Sequence, residues 1–165
     1  MNKTDHFNTL AGSASCTTIA VHTHPDGDAV GSGIAMLQYM LLQRKADAVL
    51  VFPDRVPDSL AFMLSGTDPG RLMVFGEGNP EVVRRLAGSD LLVCLDCSSL
   101  SRTAGLESFL RASKATKVLV DHHLDPQKEA FDLVFSETEI SSTCELLYSI
   151  LLEMPDIGGD PCKIP

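Results

Sequence analysis

At 165 residues, with 44% hydrophobic and 21% charged, the chain can bury the core of one ordinary domain. Its formal net charge of −9 argues against a broad nucleic-acid-binding face, because long polyanions would be repelled. No apolar run reaches membrane-spanning length, and the longest helix-like stretch, residues 34–42, contains Gln38. The N-terminal stretch from Met1 to His6 is polar and lacks a signal peptide's apolar region, which favours a cytoplasmic location. The five cysteines are odd in number, and Cys94 and Cys144 lie inside apolar segments, so reduced thiols are expected.

Strand and helix signals alternate along the chain. Residues 18–21 read as a strand, and residues 29–44 carry a helical stripe of Ile34, Leu37, Leu41 and Leu42. A second strand at 48–52 is closed by Pro53 and Asp54. Residues 58–64 read as a short helix between Pro57 and Gly66, and 71–75 as a further strand. Asn79 opens a helix running through Pro80 to Leu86, with Gly88 as its expected C-cap. The strand at 91–95, a helix at 106–113, the strand at 117–120 and a short strand at 133–135 follow. A last helix opens at Ser142 and runs to Glu153. The tail from Met154 to Pro165, with three prolines and two glycines, reads as a linker or a chain end. This order predicts an α/β fold: a doubly wound, mainly parallel sheet with helices on both faces.

Three of the apolar runs end in clusters of acids and histidines. The first cluster holds His22, His24, Asp26 and Asp28, the second holds Asp96, and the third is Asp121-His122-His123. Side chains at the carboxyl ends of parallel strands share one crevice. Carboxylates and imidazoles converging there would repel and lose hydration unless cations lay among them. Asp26 and Asp28 are two apart, so in an extended segment their side chains point the same way and could each face one ion of a pair. His22 could close one ion's shell, Asp96 is suited to bridge two, and His122 could serve the second. Oxygen and imidazole donors without thiolate suit Mn²⁺ or Mg²⁺ better than structural zinc. Two such ions form a clamp for in-line phosphoryl displacement and activate water. Phosphoester hydrolysis is the expected chemistry.

The same residues carry a resemblance. The string from His22 to Ser32 resembles the first motif of the DHH phosphoesterase superfamily, the string from Leu95 to Arg102 its second, and Asp121-His122-His123 the signature that names it. Residues Ser141 to Glu145 resemble the Ser/Thr-rich segment of the branch containing nano-RNases and pAp phosphatases. The motifs run in the family's order over nearly the whole chain. The resemblance implies that His22 and Asp26 bind one Mn²⁺, that Asp28 and His122 bind the other, and that Asp96 bridges them. Mg²⁺ is the alternative ion. It implies that His123 contacts the substrate phosphate, that Asp121 orients the histidine pair, and that Arg102 holds the second-motif loop or meets an anionic group.

The family also has a further metal-binding aspartate in an Asp-Thr motif and a C-terminal substrate-binding domain. No such motif stands in this sequence, and Asp156 and Asp160 lie in the Pro/Gly-rich tail. The expected organisation is therefore a DHH catalytic domain over residues 1–153, a tail or truncated linker over 154–165, and no C-terminal domain. The leading function is a Mn²⁺-dependent phosphoesterase acting on very short oligonucleotides or 3′-phosphoadenosine 5′-phosphate (pAp). The alternatives are an exopolyphosphatase- or pyrophosphatase-like hydrolase, or an inactive metal-binding fragment of a two-domain enzyme. Expected partners are a small phosphorylated substrate or very short oligonucleotide, with a homodimer as the candidate assembly and no membrane.

Simpler roles stand beside these. His24 and His6 read as loop and polar-segment residues. Asp28 is a natural cap for a helix beginning near Ala29, and Ser142 with Glu145 fits a capping box. The glycines at 27, 31 and 33 fit tight turning and close packing, not GxGxxG spacing. Cys94 and Cys97 have redox-motif spacing but no second pair.

Overall fold

In the computed structural model, which describes residues 2–165, the apolar runs form six strands. They are β1 (Cys16–Ala20), β2 (Asp47–Phe52), β3 (Leu72–Val74), β4 (Leu91–Leu95), β5 (Thr116–Asp121) and β6 (Leu133–Ser136). The sheet order is β3-β2-β1-β4-β5-β6. All pairings are parallel, giving the doubly wound α/β arrangement the sequence predicts. The order reverses between β1 and β4, so successive crossovers leave in opposite directions and open a crevice at the strands' carboxyl ends.

Register then fixes which residues meet there. Ala20 pairs with Cys94, and Leu95 pairs with Val120. Continuing those offsets brings His22, Asp96 and Asp121 to one level just beyond the sheet.

Five α-helices cover it: α1 (Lys3–Ser13), α2 (Gly27–Gln38), α3 (Pro80–Gly88), α4 (Glu107–Ala112) and α5 (Thr143–Leu152). Side-chain alternation along the strands sorts the core. Ile19, Val93, Leu95, Val118 and Val120 pack with α1, α2 and α5, while Ala20, Leu92, Cys94 and Leu119 pack with α3 and α4.

Several local features depart from the sequence reading. The polar N-terminus is the helix α1, capped by the Asn2 side chain, and it buries a narrow stripe of Thr4, Phe7 and Ala11. Phe7 meets Phe135 edge-on at 6.1 Å. The predicted helix at 29–44 starts earlier, and its last turn, Tyr39–Gln43, widens into a π-helical turn. That turn seats buried Tyr39 so that its hydroxyl accepts from Arg44 Nε at 2.6 Å and donates to Asp156 Oδ1 at 3.2 Å. Residues 58–64 form a 3₁₀ helix, and the strand expected at 71–75 shortens to Leu72–Val74. Asn79 does cap α3, but Gly88 is its last helical residue and Ser89 is the C-cap. A 3₁₀ segment, Leu100–Leu106, precedes α4. The Pro/Gly-rich tail turns repeatedly, yet Met154 and Ile157 are fully buried in the core. No helix among the described residues is long and apolar enough to cross a membrane.

Candidate metal centre

His22 follows β1 and is nearly buried. Its Nδ1–H donates to the Thr23 carbonyl at 2.7 Å, which fixes the tautomer and leaves Nε2 bare. Nε2 faces Asp96 Oδ2 at 3.3 Å and Asp26 Oδ1 at 3.8 Å. The Asp96 carboxylate raises His22 above its ordinary pKa against the opposing effect of burial. The loop carrying His22 is pinned from two sides. Thr23 N–H donates to the Arg102 carbonyl at 2.7 Å. The Thr23 hydroxyl and, at 2.9 Å, the His24 amide both donate to Asp54. Those two bonds, the hydroxyl's first, hold the Asp54 carboxyl below its usual range. His24 itself is a turn residue at φ 51°, its side chain 90% exposed.

Asp26 and Asp28 divide their work in an unexpected way. Asp26, not Asp28, caps α2: its Oδ1 accepts from the Asp28 and Ala29 amides, both at 3.0 Å. The helix begins at Gly27, which places Asp28 in its first turn. There the Asp28 carboxylate crosses to α5 and accepts from the amides of Thr143 at 2.7 Å and Cys144 at 2.8 Å. A carboxylate at a helix N-terminus gains from both the unpaired amides and the helix dipole. Its Oδ2 is also 3.6 Å from His122 Nε2.

Asp96 is the hub. It leaves β4 in the left-handed conformation at φ 56°, with its side chain 2% exposed. Its amide donates to the Val120 carbonyl at 3.0 Å. Oδ2 turns to His22, while Oδ1 accepts from the buried Thr143 hydroxyl at 2.9 Å and faces His122 Nε2 at 3.7 Å and His123 Nδ1 at 3.6 Å. Burial pushes its pKa up, but His22 and Thr143 outweigh it and the carboxyl stays below its usual range. Fully buried Asp121 holds His123 twice, accepting from Nδ1 at 2.8 Å and from the backbone amide at 3.2 Å. The Nδ1 position is thereby occupied, and Nε2 is the free nitrogen of His123. The two imidazoles lie 4.5 Å apart. Arg102 sits half-buried in the 3₁₀ segment, and among the described residues its guanidinium makes no hydrogen bond or ion pair.

Two groups of side chains present ligand atoms within 4.8 Å of one another: His22, Asp26 and Asp96, and Asp96, His122 and His123. Asp96 belongs to both. Asp28 joins through His122. Oxygens and imidazole nitrogens alone make up these groups, with His22's tautomer already fixed, so the donor set fits divalent cations of oxygen-preferring or borderline character. Thiols do not compete. Burial pushes Cys94 and Cys144 up to about 12, and Cys97 is raised for the same reason. Cys94 and Cys97 are free thiols, without redox pairing. Ser142 caps α5 as expected, but Glu145 reaches back to the Ser141 amide, at 2.9 Å, and not to that of Ser142. Thr143 and Asp54 were not singled out as site residues. Asp54 could have been, since it stands beyond β2 as the other acids stand beyond their strands.

The comparisons with known proteins extend this geometry. An exopolyphosphatase-related protein from Bacteroides fragilis superposes with a TM-score of 0.87 at 27% identity, over 95% of this chain and 45% of that one. The chain thus spans less than half the length of that protein. A structure from work on the mechanism and regulation of Sir2 enzymes matches at a TM-score of 0.55 and 10% identity, over 94% of this chain and 98% of that one, and shares the fold alone. Residues 17–163 match the DHH family N-terminal domain, a span containing all three acid and histidine clusters, and the chain belongs to the DHH family.

Proposed function

We propose that this chain is the metal-holding domain of a Mn²⁺-dependent phosphoesterase that hydrolyses very short oligonucleotides or pAp. The observation that carries the reading is Asp96, a buried carboxylate whose two oxygens face different histidines, His22 on one side and His122 on the other. In this reading His22 and Asp26 would hold one ion, Asp28 and His122 would hold the other, and Asp96 would serve both. Divalent cations held there would supply the positive charge that neutralises a phosphoryl group and lowers the pKa of water.

The remaining residues do the work of positioning. Asp121 fixes the His123 ring through Nδ1–H, so Nε2 is the atom left to face a phosphate oxygen, and in the imidazolium form its N–H donates to that oxygen and stabilises charge developing on it. Arg102, whose guanidinium has no hydrogen-bond or ion-pair partner among the described residues, is available to a second anionic group. Both His122 and His123 remain partly exposed, which leaves the site open to a small substrate.

A second reading, hydrolysis of inorganic polyphosphate or pyrophosphate, is favoured by the description of the 27%-identical neighbour as exopolyphosphatase-related. The test measures phosphate and nucleotide release from pAp, a dinucleotide and polyphosphate, with and without Mn²⁺. Asp96→Ala serves as the control. Release from the nucleotide substrates that depends on Mn²⁺ and on Asp96 is the expected result. Preference for polyphosphate would select the second reading, and unaltered release by Asp96→Ala would sink both.

A further inference from the structure

Ser142 to Glu145 opens α5, and Ser142 alone suffices to cap it, its side chain accepting from the Glu145 amide at 3.1 Å. Thr143 is therefore free for something else. Its side chain is fully buried, and its hydroxyl points away from the helix axis to donate to Asp96 Oδ1 at 2.9 Å. Its amide donates to Asp28 Oδ2 at 2.7 Å. One residue thus touches a carboxylate from the first motif and one from the second, across 115 and 47 residues of sequence.

We infer that Thr143 is a positioning residue for the metal centre: its hydroxyl fixes the rotation of the Asp96 carboxylate so that each oxygen serves a different ion. The inference rests on the two-ion reading above. A carboxylate shared between two ions must hold one torsion, because rotating its plane withdraws both oxygens together. His22 Nε2 faces Oδ2 from one side, at 3.3 Å. On the other side the histidine nitrogens stand at 3.6 and 3.7 Å, beyond hydrogen-bond reach. Among the described residues, Thr143 is the one group that grips Oδ1 itself. A hydroxyl suits the task, since it occupies one lone pair and leaves the other for an ion. Partners that orient metal ligands in this way are typically worth about 10–100-fold in metal affinity.

The experiment is calorimetric titration of the metal-free full chain with Mn²⁺ alone, for wild type, Thr143→Val and Thr143→Ser. Thr143→Val keeps the shape and removes the donor. It is expected to remain folded without metal and to bind Mn²⁺ about 10–100-fold more weakly than wild type. Thr143→Ser is expected to restore affinity, a rescue that a purely structural role for the threonine methyl would not give. Wild-type affinity in Thr143→Val overturns the inference while leaving the two-ion reading intact. Absence of Mn²⁺ binding in wild type overturns both. Should Thr143→Val fail to fold, Thr143→Ser and Thr143→Ala differ by the hydroxyl alone, and equal affinities in that pair overturn the inference as well.

Discussion

Asp28 accepts the backbone amide of Thr143 at 2.7 Å, so an acid from the first motif closes the N-terminus of the last helix. The contact joins α2 to α5 across the crevice, and with the Cys144 amide it satisfies two donors that the helix cannot satisfy internally. Asp28→Ala is expected to destabilise the metal-free protein by about 2 kcal/mol, as charge-assisted bonds to buried amides commonly do. Asp28→Asn, which keeps one acceptor oxygen, should lose less. Urea unfolding in the presence of a chelator measures both, and equal stabilities for Ala and wild type would show that α5 finds other partners.

Gly33 allows α2 to lie close against β2. A Cβ there would stand 2.9 Å from Leu50 Cδ1 and 3.4 Å from Val21 Cγ1, atoms of fully buried side chains. Alanine favours helix by roughly 1 kcal/mol over glycine, but overpacking a filled core costs about 1–3 kcal/mol. Gly33→Ala should therefore lower the melting temperature. A rise would mean that Leu50 has room to turn.

The tail's first residues belong to the core. Ile157 is fully buried, and neighbouring Asp156 pairs with Arg44 at 3.3 Å. Ile157→Ala is expected to cost about 2–4 kcal/mol through lost burial and the cavity left behind. A linker residue in the same place would cost nothing measurable, so the unfolding midpoint separates the two.

Asp47, at the start of β2, accepts hydrogen bonds from Arg85 and Arg71, and the Arg85 guanidinium, then that of Arg71, holds its carboxyl below the usual range. A carboxyl with a lowered folded-state pKa contributes stability above its unfolded value of about 3.9 and loses it as pH falls through the folded value. Asp47 is half exposed, so the contribution is within about 1 kcal/mol. Unfolding midpoints of wild type and Asp47→Asn should differ near neutral pH and converge as pH falls below the ordinary carboxyl range. A gap that widens in acid would contradict this sign.

Much of the fold was legible because apolar runs and turn residues alternate regularly, and parallel strands bring their carboxyl ends together whatever the loops between them. That rule alone gathers His22, Asp96, Asp121 and His122. The exchange of roles between Asp26 and Asp28 was hidden because it depends on where α2 starts. Beginning at Gly27 instead of Ala29 moves the cap back by two residues. The partners of Asp28 are backbone amides more than a hundred residues away, and amides leave no mark on a sequence. Helix α1 escaped because its buried stripe of Thr4, Phe7 and Ala11 sits in an otherwise polar segment. The π-helical turn was equally invisible, since its widening is set by where Tyr39, Arg44 and Asp156 meet in space.

Three residues around the crevice, His24, Asp96 and Asp125, hold left-handed backbone at φ 51°, 56° and 51°. Each sits in a loop leaving one of the strands that carry the acid and histidine clusters, and each gives up about 1 kcal/mol relative to a glycine in that conformation. The mouth of this domain is thus a place where stability has been traded for the direction in which chain and side chains leave the sheet. The trade can be reversed where the side chain makes only exposed contacts, as the His24 imidazole does with Thr23 Oγ1 at 3.3 Å and Asp54 Oδ2 at 3.7 Å. His24→Gly, which removes a 90%-exposed imidazole, should raise the melting temperature. Asp96→Gly would relax the same backbone and discard the carboxylate on which both halves of the crevice converge.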